Sequence, residues 1–274
     1  MKFKIICNAL LFTLGFALTV KTSELNPVIT SGHSHNDYQH TRPLFDAIEN
    51  KFISIEVDIH LVGQALLVGH DEEDLNEDRT LQSLYLDPLM AYIHENDGWV
   101  YPNHELILLI DIKSSPEPTY RALRKALIEY ADIVTRYTSD AIRKGAVSVI
   151  ISGNYPREVM QNEPTRYATF DGRIQDLNRE IPSNSMILIS DNWEEHFVWR
   201  GKGKMSKEDR RKLMQLIDRA HSRDYRIRFW NLPTKNPSRR EAVWAELLES
   251  GVDLLNVDDL KAYREFFIHG RDEK

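Results

Sequence analysis

Glu56 and Asp58 lie two residues apart in the run Phe52–Ile59, so on an extended strand both carboxylates point to one face. Two acids sharing a face in an apolar run repel each other and desolvate badly unless something positive lies between them. Asp111, embedded in LILLIDIK, is a third acid of this kind. Three oxygen donors that converge make a hard-cation site, so the expectation is one divalent ion, Mg2+ or Ca2+, held by Glu56, Asp58 and Asp111. Taken singly, each acid could equally be hydrogen-bonded near a helix start. His33 and His35 in GHSHNDY, and His70 in VGHD, follow short apolar bursts in the same way. Imidazoles titrate near neutral pH, so two of them beside a phosphate can serve as general base and general acid. Lys113 shares a face with Asp111 and brings a positive charge toward the same place. Together these residues read as phosphate chemistry: a metal to neutralise oxygens, a lysine to hold them and histidines to move protons. The remaining histidines lack such a context and read as surface or satisfied core residues.

For these side chains to meet, the elements carrying them must share one end of a sheet. Short β-rich runs occur at Val28–Ser31, Phe52–Ile59, Leu106–Ile112, Ala146–Ser152, Arg166–Phe170, Met186–Ser190, Tyr225–Trp230 and Asp253–Val257. Several are continuously apolar, which suits strands buried on both faces of a parallel sheet. Helical patterns lie between them: Pro43–Asn50, Tyr120–Thr135, Ser206–Ser222 with Glu208 and Asp209 in its first turn, Ser238–Ser250 stopped by Gly251, and Leu260–Ile268. This count predicts a TIM-like (β/α)8 barrel, a single α/β domain whose functional groups sit at the C-terminal ends of the strands. The rival is a doubly wound open sheet, and no GxGxxG follows the first strand to support its nucleotide-binding version. A further short strand, Ala65–Gly69, reads as an insertion at the barrel mouth, and the charged loop Asp71–Arg79 as solvated. Asn36 after strand one is a candidate substrate contact, and strand seven ends in Trp230 and Asn231. Asn154, Asp171, Arg173, Asp191 and Trp193 also fall at strand ends, where they could touch a ligand or cap loops. Trp193 and Trp199, with Phe197, could form a lip for a lipid tail, and so a peripheral membrane contact, or pack under a loop.

The chain has 274 residues, 42% of them hydrophobic, enough for a large core without a metal or disulfide staple. The 35 basic and 42 acidic side chains are mixed along the chain, with no basic surplus to suggest a nucleic-acid partner. Lys2 and Lys4 precede an apolar run from Ile5 to Val20, which reads as a secretory signal peptide over residues 1–23, cut between Val20 and Asn26, before a domain over 24–274. The alternative is an uncleaved N-terminal anchor. The single cysteine, Cys7, belongs to that leader. Removing Lys2, Lys4 and Lys21 takes the net charge from -7 to -10, so the expected product is an acidic, exported domain, periplasmic or secreted. Nothing points to an obligate protein partner.

The order H…E-x-D…H-D…D-x-K, followed by an F-W-N strand and a closing G-V-D strand, resembles the phospholipase-C-like phosphodiesterase superfamily. That group includes the glycerophosphodiester phosphodiesterases and the spider-venom sphingomyelinase D enzymes. The strings GHSHNDYQHTRPLFDAI, SIEVDIHL, LLVGHD and ATFDGRIQDL are similar to its bacterial and fungal branch, which includes the yeast altered-inheritance-of-mitochondria protein 6. The resemblance runs from Val28 to Phe266 and implies a barrel that cleaves phosphodiesters, small or lipid-derived, with one divalent ion. It implies metal-ligand roles for Glu56, Asp58 and Asp111, catalytic roles for His33 and His70, and substrate or phosphate contacts for Lys113 and Trp230. Glycerophosphodiesterases usually carry His-Arg-Gly after strand one, whereas this chain has His33-Ser34-His35. The phosphate-contacting arginine is missing there, His35 is additional, and the choice of base between His33 and His35 stays open, as does the head group.

Two other functions remain in view. Barrel metallohydrolases of the amidohydrolase or polymerase-and-histidinol-phosphatase type also begin with His-x-His, but need further metal histidines near strands five and six. A non-catalytic binder of phosphorylated ligands would keep the cleft, but has no need of paired proton carriers.

Overall fold

The computed structural model describes residues 27–272. Eight parallel strands form the barrel: β1 (Ile29–Ser34), β2 (Phe52–Val62), β3 (Leu106–Ile112), β4 (Val147–Gly153), β5 (Thr169–Gly172), β6 (Met186–Asn192), β7 (Arg226–Trp230) and β8 (Leu254–Val257). β1 pairs with β2 on one side and with β8 on the other, which closes the ring. The expected open-sheet rival is thereby excluded. β3 and β4 are buried almost throughout, as their unbroken runs of Ile, Leu and Val require of strands covered on both faces. The expected leader and its cut lie outside the described residues.

The helices are α1 (Phe45–Glu49), α2 (Asp87–Glu95), α3 (Pro116–Glu129), α4 (Arg157–Gln161), α5 (Trp193–His196), α6 (Lys207–His221), α7 (Pro237–Ser250) and α8 (Leu260–Asp272). α6 starts where the sequence places it: the Ser206 hydroxyl accepts from Asp209 N, and Leu213, Leu216, Ile217 and Ala220 are buried. α7 stops at Gly251 with a left-handed φ of 92°. α3 differs from expectation. It begins earlier, at Pro116, and ends at Glu129, not Thr135. The apolar residues beyond it, Ile133 and Val134, are buried in a turn leading to a small antiparallel sheet (Arg136–Thr138, Ile142–Arg143, Thr165–Arg166). Apolar spacing continued past the helix end because the turn is also buried.

β2 runs past the barrel wall and folds back through an antiparallel strand, Ala65–Val68. That hairpin is the expected insertion, and it carries His70 to the rim of the C-terminal face. In register, Asp58 lies beside Asp111 across β2 and β3, Asp111 beside Ser152 across β3 and β4, and Ser190 beside Arg228 across β6 and β7. One layer of the barrel interior is therefore polar from β2 round to β7.

Candidate active site

A cavity of about 270 Å³ opens at this end of the barrel. Its lining brings together His35, Asn36, Glu56, His70, Asp111, Lys113, Asp171, Arg173 and Trp230 from the sequence expectations, and adds Ser152, Ser190 and Arg228. Trp230 is 36% exposed at its edge. Asn36 sits in the left-handed region, φ 48°, which asparagine tolerates better than most residues.

Each residue of HSHNDY has its own task. The fully buried His33 accepts or donates through Nδ1 with the Ser54 hydroxyl at 2.7 Å and meets Glu56 Oε2 through Nε2 at 2.6 Å. Ser34 donates to Asp37, which also receives the Leu44 backbone N–H and the Tyr85 hydroxyl. That buried carboxylate thus pins the loop between β1 and α1. His35 Nδ1 lies 2.8 Å from Asp258, leaving the other ring nitrogen available. Tyr38 donates its hydroxyl to Asp58 at 2.8 Å.

Of the two histidines left open by the sequence, only His35 lines the cavity. His33 has both ring nitrogens engaged beneath it, which does not fit a proton carrier that must reach substrate. Burial, aided by the Arg228 charge, pushes the His33 imidazole down to about 4 against the pull of Glu56, so it is neutral. Burial also works to lower His35, but the Asp258 hydrogen bond and the Glu56 charge outweigh it and hold it above its ordinary value. His70 is half-exposed, with Nδ1 3.1 Å from Asp71.

The acids are compensated from within. Glu56 accepts from Arg228 at 2.7 Å as well as meeting His33. Its burial alone would raise the carboxyl, but Arg228 and the His33 hydrogen bond hold it well below the usual carboxylate range. Lys113 Nζ lies 3.2 Å from both Asp58 and Asp111. Burial nevertheless keeps Asp58 raised and, with Lys113 opposing and the neighbouring acids assisting, pushes Asp111 up to about 6. One oxygen from each of Glu56, Asp58 and Asp111 lies within 4.8 Å of the other two. Asp58 Oδ1 is buried with no partner among the described residues. An all-oxygen donor set with an orphaned buried carboxylate oxygen fits a hard divalent cation. Gly153 makes room for this cluster: its φ is 71°, and a Cβ there would stand 2.1 Å from Asp111 Oδ1.

The sequence reading missed Arg228. It is 3% exposed on β7, and its Nε donates to Asn256 at 2.5 Å. From β7 it brings a buried guanidinium to Glu56. The available signal was the alternation Arg226, Arg228, Trp230 in RIRFW, which places charges on one face of a barrel strand. The other loop candidates divide. Asn154 donates to the Lys113 carbonyl and Asp191 accepts from Ile174 N, so both brace loops. Trp193, Phe197 and Trp199 are buried, with the Trp193 indole donating to the Trp199 carbonyl. Of the two readings for them, a lip for a lipid tail or packing under a loop, burial fits the second.

The parallel barrel thus gathers acids, histidines and basic groups at its C-terminal mouth. Residues 21–171 match the AIM6-like phosphodiesterase domain. The chain is 34% identical to altered inheritance of mitochondria protein 6 of Eremothecium gossypii, over 92% of this chain and 73% of that protein. It is 28% identical to a homolog from Arthroderma benhamiae, over 86% of this chain and 83% of that one. A solved glycerophosphoryl diester phosphodiesterase from Parabacteroides distasonis superposes with a TM-score of 0.46 at 15% identity, covering 78% of this chain and 75% of its own. The chain belongs to the AIM6-like phosphodiesterase family.

Proposed function

We propose that the protein hydrolyses phosphodiesters of the glycerophosphodiester or phospholipid-head-group type, with one divalent cation, Mg2+ or Ca2+, and histidine acid–base catalysis. The observation that carries this reading is the shared cavity of His35 and His70 with Glu56, Asp111, Lys113 and Arg228. A cation on Glu56, Asp58 and Asp111 supplies Lewis acidity toward a phosphate oxygen when bound. Lys113 and Arg228 hold the remaining phosphate charge. His35, oriented by Asp258, takes the proton of the attacking hydroxyl, whether a neighbouring substrate hydroxyl or water. His70, at the rim, gives a proton to the leaving alcohol. His33 keeps Glu56 oriented and takes no part in proton transfer.

A metallohydrolase of the amidohydrolase or polymerase-and-histidinol-phosphatase type is less well supported, because the cavity lining includes only His35 and His70 as histidines among the described residues. The test is turnover of an aryl phosphodiester and an aryl phosphomonoester with Mg2+, Ca2+ or chelator. His35→Ala and His70→Ala are each expected to lower diester turnover by about 10²–10⁴-fold with the fold intact. Full activity in either variant, or loss in His33→Ala with none in His35→Ala, overturns the scheme. A pure phospholigand binder would show saturable binding and no turnover. The leader supports export of the domain, checked by N-terminal sequencing of protein recovered outside the cytoplasm.

A further inference from the structure

A second group of donors lies beside the mouth but outside the cavity. Asp191 stands near the end of β6, and Glu195 and His196 follow on α5, so none of the three lines the acid–base site. One ligand atom from each lies within 4.8 Å of the other two. The two carboxylates are held in place. Asp191 accepts from Ile174 N at 3.0 Å and from Asn192 N at 2.9 Å, and Glu195 accepts from the Asn192 side chain at 3.2 Å. His196 differs. Its Nε2 is buried, lies 3.4 Å from Asp191 Oδ2 and makes no hydrogen bond among the described residues. A buried ring nitrogen left unpaired costs free energy, and a histidine that served only to pair with Asp191 would turn its N–H onto that oxygen. The 3.4 Å separation matches a shared ion instead. Two donors each about 2.0–2.1 Å from a tetrahedral cation stand about 3.3–3.4 Å apart. The backbone that carries them is fixed as well, since Trp193 and Phe197 are buried on either side and Lys212 donates to the His196 carbonyl at 2.7 Å.

We infer that Asp191, Glu195 and His196 form a second cation site, for a transition ion of the Zn2+ type. An imidazole nitrogen with two carboxylates suits Zn2+ and its neighbours in the first transition row, whereas the all-oxygen set of Glu56, Asp58 and Asp111 suits Mg2+ or Ca2+. Three protein donors leave a fourth position for water, and the exposed Glu195 meets the ion from the solvent side. Its role is structural. The ion ties α5, a helix of 4 residues and too short to hold itself, to the end of β6. Because Asp191 also holds Ile174 N, the brace extends to the segment after β5. The site takes no part in the phosphodiesterase reading and is tested apart from it.

The experiment titrates Zn2+ into the full-length protein by calorimetry, with Mg2+ in large excess to compete at the all-oxygen site. The wild-type protein and Asp111→Asn are both expected to bind Zn2+ at the Asp191 site. His196→Ala and Glu195→Gln should each weaken that binding by at least about tenfold. Both variants are also made in the Asp111→Asn background, so that any Zn2+ taken up by the other acids does not mask the loss. If His196→Ala fails to fold, the exposed Glu195 carries the same test. No Zn2+ binding by the wild-type protein, binding abolished by Asp111→Asn, or a smaller loss in either folded variant overturns the site.

Discussion

Replacing Arg228 with methionine keeps much of the side-chain volume but strips Glu56 of its guanidinium in a site where Arg228 is 3% exposed and Glu56 5%. Removing one partner of a buried ion pair strands the other, at about 3–5 kcal/mol. His33 modifies that figure with pH. In the native protein its pKa is depressed from 6.5 to about 4, first by burial and then by the Arg228 charge. The unfolded chain therefore binds the proton first, and native stability falls as pH drops from 6.5 toward 4. At about 1.4 kcal/mol per pH unit, that loss reaches about 3 kcal/mol. In Arg228→Met the lowering charge is gone while Glu56 still faces Nε2, so the His33 pKa rises. Its ion pair with Glu56 then stabilises the variant at low pH and is lost as pH rises through the new value. Both trends narrow the gap, so a deficit of about 3–5 kcal/mol at pH 8 should shrink by half or more near pH 5. Urea unfolding at the two pH values, followed by tryptophan fluorescence, measures it. Adding Glu56→Gln to Arg228→Met should restore about 2 kcal/mol or more, because no charge remains stranded. A deficit below about 1 kcal/mol at pH 8, or one unchanged at pH 5, refutes the buried charge triad as argued.

The acid cluster makes further predictions. Because Asp111 is pushed up to about 6, protons compete with a divalent cation below that pH. Cation affinity should be nearly level above pH 6 and weaken by up to about tenfold per pH unit beneath it, measured by calorimetry with proton release tracked in paired buffers. Asp111→Asn should abolish the cation-induced rise in Tm at pH 7.5, and an undiminished rise counts against the ligand assignment. Gly153→Ala should both strain the backbone and displace Asp111, since the new Cβ would lie 2.1 Å from Oδ1. A loss of at least about 1 kcal/mol in urea unfolding is expected, together with weaker cation binding. Tyr38→Phe removes a hydrogen bond to the buried Asp58 and should cost about 1.5–3 kcal/mol, also read by urea unfolding.

Much of this protein was legible in its sequence, for a physical reason. Strands enclosed on both faces must be apolar at nearly every position, so LILLIDI and SVIIS announce themselves without any knowledge of their neighbours. An acid inside such a run is costly, and Glu56, Asp58 and Asp111 stand out for that cost. Their convergence also followed from the barrel alone, because parallel strands deliver their C-terminal residues to one mouth. Closure and register decided the rest. Whether His33 or His35 reaches the cavity depends on how β1 sits between β2 and β8, which puts His33 beside Ser54 and Asn256, beneath the mouth. Arg228 meets Glu56 across 172 positions of chain. Ser152 and Ser190 converge on one carboxylate oxygen of Asp171 only because β4, β5 and β6 stand side by side. Composition and spacing report what a residue must cost where it is buried. Which partner offsets that cost is set across the barrel, by residues that no local pattern brings together.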